Sequence, residues 1–161
     1  MLVRPIDTTS TEELNLVASR MRQTLVEVLG EEKGGSMYTM DWLVARAAYH
    51  VHNDECASQI FLAVNDENQI TGHTIVRIDR DENQQPIGLF STTYVVPKAR
   101  RDGVAKLLIA HGEEWMREQG MTKAATYTDE ENTGLQNLFL GLGYIQRPME
   151  NNFVELSKAI G

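Results

Sequence analysis

A strand-like run ends at Val95-Val96-Pro97, a short basic loop Lys98-Ala99-Arg100-Arg101-Asp102 follows, and a helical pattern opens at Gly103-Val104-Ala105. A helix start presents backbone N–H groups that have no intrahelical acceptor, with the positive end of the helix dipole behind them. That arrangement binds anions, phosphate above all. Gly103 lets a phosphate approach the backbone without a Cβ in the way, and Ala105 keeps the first turn narrow. An ordinary strand-to-helix turn is the plain alternative. Two familiar phosphate loops are excluded, because no Lys-Ser/Thr pair follows the glycine and no GxGxxG occurs.

Other reactive residues are scattered. His50 and His52 lie two apart, so on a helix they point away from each other and make a poor metal pair. His111-Gly-Glu-Glu-Trp115 lacks the second histidine of a zinc-protease helix. His73 falls in a strand pattern, where a structural role is favoured over that of a base. Asp129-Glu130-Glu131 precedes a helix start, where acids suit the dipole; binding a cationic acceptor is the other use. Cys56 is the single cysteine, so it forms no internal disulfide, and it reads as a passive residue of a reducing compartment. No metal site is expected.

The elements that must position the basic turn follow from periodicity. A first strand, Leu2–Arg4, leads to Ser10-Thr11-Glu12-Glu13, a capping box. Leu14, Val17, Met21, Leu25 and Val28 recur at helical spacing, and Gly30 stops the run. Residues 31–36 read as a polar, Gly-rich loop. Trp42, Leu43, Ala47 and Val51 predict a second helix begun by Thr39 or Asp41 and ending near Asn53, with Trp42 in the core. Strands are predicted at Gln59–Val64, Ile70–Ile78 and Gly88–Val96, the first two joined by a hairpin at residues 65–68. A helix runs from Gly103 to about Glu118 with Val104, Leu107, Leu108, His111 and Trp115 as its stripe. A strand at Lys123–Thr128, a helix at Thr133–Leu142 and a strand pair, Tyr144–Gln146 with Phe153–Leu156, complete an α/β chain with a mixed sheet and flanking helices.

Bulk properties narrow the class. The chain has 161 residues, which fits one domain over 1–161. Hydrophobic residues make up 42% and charged residues 24%, which excludes a disordered chain. A net charge of −8 argues against a nucleic-acid surface, since only Lys98, Arg100 and Arg101 cluster. Apolar runs such as Phe61–Val64 and Leu107–Ala110 fall far short of the ~18 residues a spanning helix needs, and Met1–Pro5 carries no signal-peptide core. A cytoplasmic protein without membrane contact is the expectation.

Arg100-x-x-Gly103-x-Ala105, placed after a strand ending Val95-Val96-Pro97, resembles the [Q/R]-x-x-G-x-[G/A] motif of the GNAT superfamily of acyl-CoA-dependent N-acetyltransferases. Asn132-x5-Leu138-Phe139-x3-Gly143-Tyr144 is similar to the family's later N-x5-L-Y-x3-G-F pattern. The resemblance spans Leu2 to about Lys158, with its firm motifs in residues 94–144. It implies a mixed, splayed central sheet flanked by helices and acetyl-CoA as co-substrate. Amides of Arg101, Asp102, Gly103, Val104 and Ala105, with Arg100 beside them, would hold the pyrophosphate. Val95 and Val96 would offer backbone hydrogen bonds to the pantetheine arm, and Asn132 and Phe139 would line that arm and the thioester. Direct attack by an amine would then transfer the acetyl group, assisted by orientation and by backbone stabilisation of the oxyanion.

Two departures matter. Phe139 stands where many members carry a tyrosine proposed to protonate the departing thiolate, and Leu89–Val96 holds no carboxylate base. A thiol of pKa about 8.5 leaves tolerably without an acid, whereas an amine of pKa about 10.4 must lose its proton. Ser91, Thr93, Tyr94 and Tyr127 are candidates to order a proton path. The acceptor is expected to be a small cationic metabolite or a peptide or protein amino group, with Glu31, Glu32 and Asp41 as a rim. The family often pairs through its C-terminal strands, which suggests a homodimer. A non-catalytic acyl-CoA-binding sensor or regulatory module is the alternative that the empty acid and base positions leave open.

Overall fold

The structure, a computed structural model, describes residues 1–52 and 57–161, His52 by its backbone alone. Cys56 and the end of the second predicted helix beyond His52 lie outside the described residues. The order is β1 (Leu2–Pro5), α1 (Thr11–Leu29), α2 (Glu31–Ser36), α3 (Met40–His52), β2 (Ser58–Val64), β3 (Ile70–Arg80) and β4 (Pro86–Val95). After a 3-10 turn at Pro97–Ala99 come α4 (Val104–Glu118), β5 (Lys123–Asp129), α5 (Thr133–Gly141), β6 (Ile145–Pro148) and β7 (Phe153–Ala159). All seven strands form one sheet in the order β1-β2-β3-β4-β5-β7-β6. Only β4 and β5 run parallel, joined through α4; the other neighbours are antiparallel.

Alternation along the strands assigns the two faces of the sheet. Phe61, Ala63, Val76 and Phe90 pack with Val104, Leu108, Met116 and Phe139 of α4 and α5. Ile60, Leu62 and Ile75, one residue out of step, pack with Leu14, Val17 and Ala47 of α1 and α3. The sheet is therefore buried on both faces, as an α/β sandwich requires. Close approach of α4 depends on glycine: a Cβ at Gly112 would stand 2.4 Å from the Phe90 ring, and one at Gly88 would stand 2.4 Å from Met116.

Local chemistry explains the helix ends. Ser10 caps α1, its Oγ accepting from Glu13 N–H at 3.2 Å. The reciprocal arm differs from the predicted box: Glu13 accepts from the Asp7 amide and from both terminal nitrogens of Arg4 instead. Thr39 Oγ accepts from Trp42 N–H at 3.1 Å and so opens α3. Residues 31–36, expected as a loop, are helical. A Cβ at Gly34 would come within 2.2 Å of the Leu25 carbonyl, so the glycine that weakens helix propensity is what lets this short turn lie against α1.

Among the described residues His50 and His73 are buried, and burial and nearby arginines both disfavour their charged forms. His73, fully buried in β3, lies with Nε2 2.9 Å from Thr92 Oγ1, and burial followed by the Arg20 charge pushes its pKa down to about 3. His50 is pushed down to about 4 by burial first, then by Arg46 and Arg77. Both imidazoles stay neutral in the folded chain while they protonate near pH 6.5 when unfolded. Folding stability from this source is thus complete above pH 6.5 and is lost as pH falls toward about 4. Urea melts should lose several kcal/mol over that window, and His50→Gln should flatten the slope; a melt independent of pH there would refute the assignment.

Candidate active site

β4 and β5 pair at only three positions, Gly88–Ala124, Leu89–Ala125 and Phe90–Thr126, and then part. Thr126 Oγ1 closes the last rung by donating to Phe90 O at 3.0 Å. The register of β3 against β4 shifts at the same level: Ile75 faces Thr92 while Val76 faces Phe90, which leaves Ser91 without a partner. Such a bulge bends a strand and re-aims its side chains. Beyond it β4 diverges from β5, and a cavity of about 740 Å³ is walled by the end of β4, the start of α4, α1 and α5.

Backbone polarity on the β4 side is set by the ladder. Val95 faces Gly72, and the next amide, Val96 N–H, donates to Thr71 O at 2.9 Å. Val95 is therefore at a non-hydrogen-bonded position, with its own N–H and C=O turned away from β3 toward the gap. Its carbonyl accepts from Arg100 Nε at 2.8 Å. Val96 was expected to serve the gap as well; the structure corrects this, because its amide closes the β3–β4 ladder and Val96 is not on the cavity wall.

Arg101, Asp102, Gly103, Val104 and Ala105 all line this cavity, with Lys106 next to them. Their amides and that of Lys106 have no protein acceptor among the described residues, while Leu107 N–H already bonds Gly103 O. Arg101 (φ 70°) and Gly103 (φ 82°) are both left-handed, which turns consecutive N–H groups inward as an anion nest. A Cβ at Gly103 would meet nothing within 4 Å, so this glycine is required by its φ and by the open space in front of it. Arg100 is more committed than its place in the motif suggests. Its Nη2 pairs with Glu27 at 2.7 Å and its guanidinium lies over the Tyr94 ring, so it clasps α1 to the end of β4. Arg101 and Lys106 are the wall cations that form no ion pair among the described residues.

Asn132 caps α5 by accepting from Leu135 N–H and donates to Thr128 Oγ1. It also lines both the first cavity and a second one of about 360 Å³. The two cavities meet along Thr24, Thr93, Asn132 and Leu135. Ser91 and Tyr127 line the second cavity and Tyr94 the first. Ser91 Oγ is buried without a partner. Tyr94 donates to Glu27 at 3.4 Å, and burial followed by that carboxylate raises its pKa; burial, then Glu155 and Asp79, raises that of Tyr127. Both phenols stay protonated at neutral pH, so they can relay or donate a proton but are not anionic bases.

Phe139 is in the core. It is fully buried between Phe90 and Tyr144, with ring centroids 5.5 and 4.8 Å away, and does not line either cavity. The neighbours Leu135 and Leu138 are on the wall of the first cavity in its place. Trp42, expected in the core, is 46% exposed and stacks on Tyr38 at 4.3 Å beside the second cavity. Glu31, Glu32 and Asp41 are exposed and line neither cavity. Sequence reasoning missed Thr24, Glu27, Arg46, His50 and Arg77 as wall residues. Their helix and strand spacing shows which face they occupy only once α1 and α3 are seen to cross the parted strands.

No helix among the described residues is long and apolar enough to cross a membrane. No group of three metal-ligating side chains comes together among them. The sequence profile of the Acetyltransferase (GNAT) family matches residues 22–144. Aminoglycoside N(6')-acetyltransferase type 1 of Serratia marcescens is 36% identical over a stretch spanning 38% of this chain and 42% of that protein. Mycothiol acetyltransferase of Renibacterium salmoninarum is 25% identical over 64% of this chain and 36% of its own length. The matches thus span about two fifths of these relatives. Among solved structures, the PaiA N-acetyltransferase of Thermoplasma acidophilum in complex with coenzyme A superposes with a TM-score of 0.72 at 14% identity, covering 98% of each chain.

Burial of Phe139 against two rings means that Phe139→Tyr would place a hydroxyl in the core. We expect a loss of about 1–3 kcal/mol in urea melts with little change in acetyl-CoA affinity. Weakened binding in a variant of unchanged stability would put the ring back on the ligand path.

Proposed function

The chain belongs to the acetyltransferase (GNAT) family, and on that premise we propose that it moves an acetyl group from acetyl-CoA to a primary amine of a small molecule or a peptide. One observation carries the reading: a run of amides without protein acceptors among the described residues, from Arg101 to Lys106, opens on a cavity at the end of β4, past its last rung with β5. Those amides suit the pyrophosphate, with Arg101 and Lys106 supplying positive charge. Val95 N–H faces the gap where the pantetheine arm would run, and Asn132 stands at its inner end.

The second cavity opens at that inner end, so an amine there can approach the thioester carbonyl. Attack forms the C–N bond, and the carbonyl oxygen takes the negative charge that a gap-facing backbone N–H can stabilise. Collapse breaks the C–S bond, the pair leaving on sulfur as a thiolate of ordinary acidity that needs no strong acid. The ammonium gives one proton before attack and the tetrahedral intermediate gives a second, both to water ordered by Ser91, Thr93 or Tyr127, three of the hydroxyls around the second cavity. Tyr94 is the phenol on the cofactor side and can donate to sulfur. Holding the two reactants in adjoining cavities supplies most of the acceleration in this scheme.

A non-catalytic acyl-CoA sensor remains the second reading, favoured by the absence of a carboxylate on the β4 segment 89–96. Thiol release from acetyl-CoA with a panel of amines separates the two, since a sensor binds without turnover. Gly103→Val tests the cofactor site. Its branched side chain would fill the anion space and be strained at φ 82°, costing about 1–2 kcal/mol in stability and at least about tenfold in acetyl-CoA affinity. A folded variant that titrates like the parent would remove the assignment.

The exposed edge strand β6, with Ile145 74% accessible, is the surface we propose for homodimer pairing. Sedimentation at tens of micromolar should show a dimer there; a monomer across that range rules the pairing out.

A further inference from the structure

The second cavity has a charge opposite to the one expected of a site for cationic acceptors. Its wall carries two guanidiniums, Arg46 and Arg77, and no carboxylate among the described residues. Arg46 is half-buried and forms no ion pair among the described residues; its charge rests over the Tyr49 ring at 4.9 Å. Arg77 reaches Asp79 at 3.0 Å through Nη2 but keeps a buried Nε without a partner. Between them His50, 3% exposed, lines the same cavity with its Nδ1 buried and unpartnered, and both arginines act on it electrostatically. Two like charges around a buried, unsatisfied imidazole are an unfavourable arrangement that a bound anion relieves.

At the same cavity the Tyr38–Trp42 stack presents a flat aromatic surface, both rings more than 40% exposed. Exposed aromatic area of this kind next to a polar pocket suits a flat apolar group. We propose, resting on the transfer reading above, that the acceptor is an amine that also carries a carboxylate and a flat side chain, such as an aromatic α-amino acid. The carboxylate sits on Arg46 and Arg77, the side chain lies against Tyr38 and Trp42, and the amine reaches toward Thr93 and Asn132 at the junction. A cavity of about 360 Å³ keeps anion and amine within one small molecule.

Matched pairs of amines that differ only in the carboxylate test this: L-phenylalanine against phenethylamine, and L-tryptophan against tryptamine. In thiol-release assays the acid of each pair should show a kcat/KM at least about tenfold higher. Arg46→Gln should lower the acid's value by about tenfold and bring the ratio toward one. Equal use of both members, better use of the decarboxylated one, or a preference that Arg46→Gln leaves at full size would overturn the subsite. If acetyl-CoA binds but no amine releases thiol, the transfer reading fails and binding decides the subsite separately. Trp42 fluorescence, followed with CoA present in a Trp115→Phe background, then reads the L-phenylalanine and phenethylamine pair: selective quenching by the acid supports the anion site. Equal quenching, or no saturable binding of either below about 10 mM, overturns it.

Discussion

The two adjoining cavities lie along β4 at and beyond the point where it stops pairing with β5. Unpaired strand backbone in the middle of a sheet is costly unless something else takes up its polar groups. Here the costs are met locally. The Val95 carbonyl is taken by Arg100, whose charge is taken by Glu27 on α1, and Thr126 seals the last rung. β5 can leave β4 because its other edge is fully paired with β7 along Lys123–Asp129. The helix α1, the clasp residue Arg100 and the C-terminal strands are thus parts of one solution to a backbone problem.

Charge is divided in a way that bulk composition conceals. A chain of net charge −8 repels anions at long range, but screening at physiological salt confines that field to roughly 8 Å. Within that distance the local groups decide. At the start of α4 they are amides, Arg101 and Lys106; in the neighbouring cavity they are Arg46 and Arg77. Arg100, the motif arginine, is already paired within the protein, with Glu27. Its contribution is mechanical more than electrostatic.

The sequence was legible where local rules and tertiary demands coincide. Gly103 ends a strand-loop-helix pattern and takes the left-handed φ that pattern needs, and the strands predicted at Gln59–Val64 and Ile70–Ile78 form with bounds extended by one and two residues. Reading failed where packing overrides propensity. Residues 31–36 are helical because Gly34 fits under Leu25, a contact no window of six residues reveals. Phe139 shares a helix with wall residues but points one position around, into Phe90 and Tyr144. Trp42 obeys helical spacing yet sits on the open side of α3, where Tyr38 supplies its partner. Val96 lies one residue past Val95, and in a strand one residue is the difference between the gap and the ladder. Arg46 and Arg77 belong to different elements, so their proximity is a product of the fold alone.

Four residues, Thr24, Thr93, Asn132 and Leu135, belong to the walls of both cavities. Two compartments that share a wall suit one molecule with two heads. For such a molecule the second head is already at millimolar effective concentration once the first is bound, and its affinity gains by orders of magnitude without any new contact. The same geometry limits what the first compartment admits. Under the proposed placement of the thioester, an acyl chain much longer than two carbons would reach the four shared residues and compete with the second ligand, so chain length on one side would set occupancy on the other.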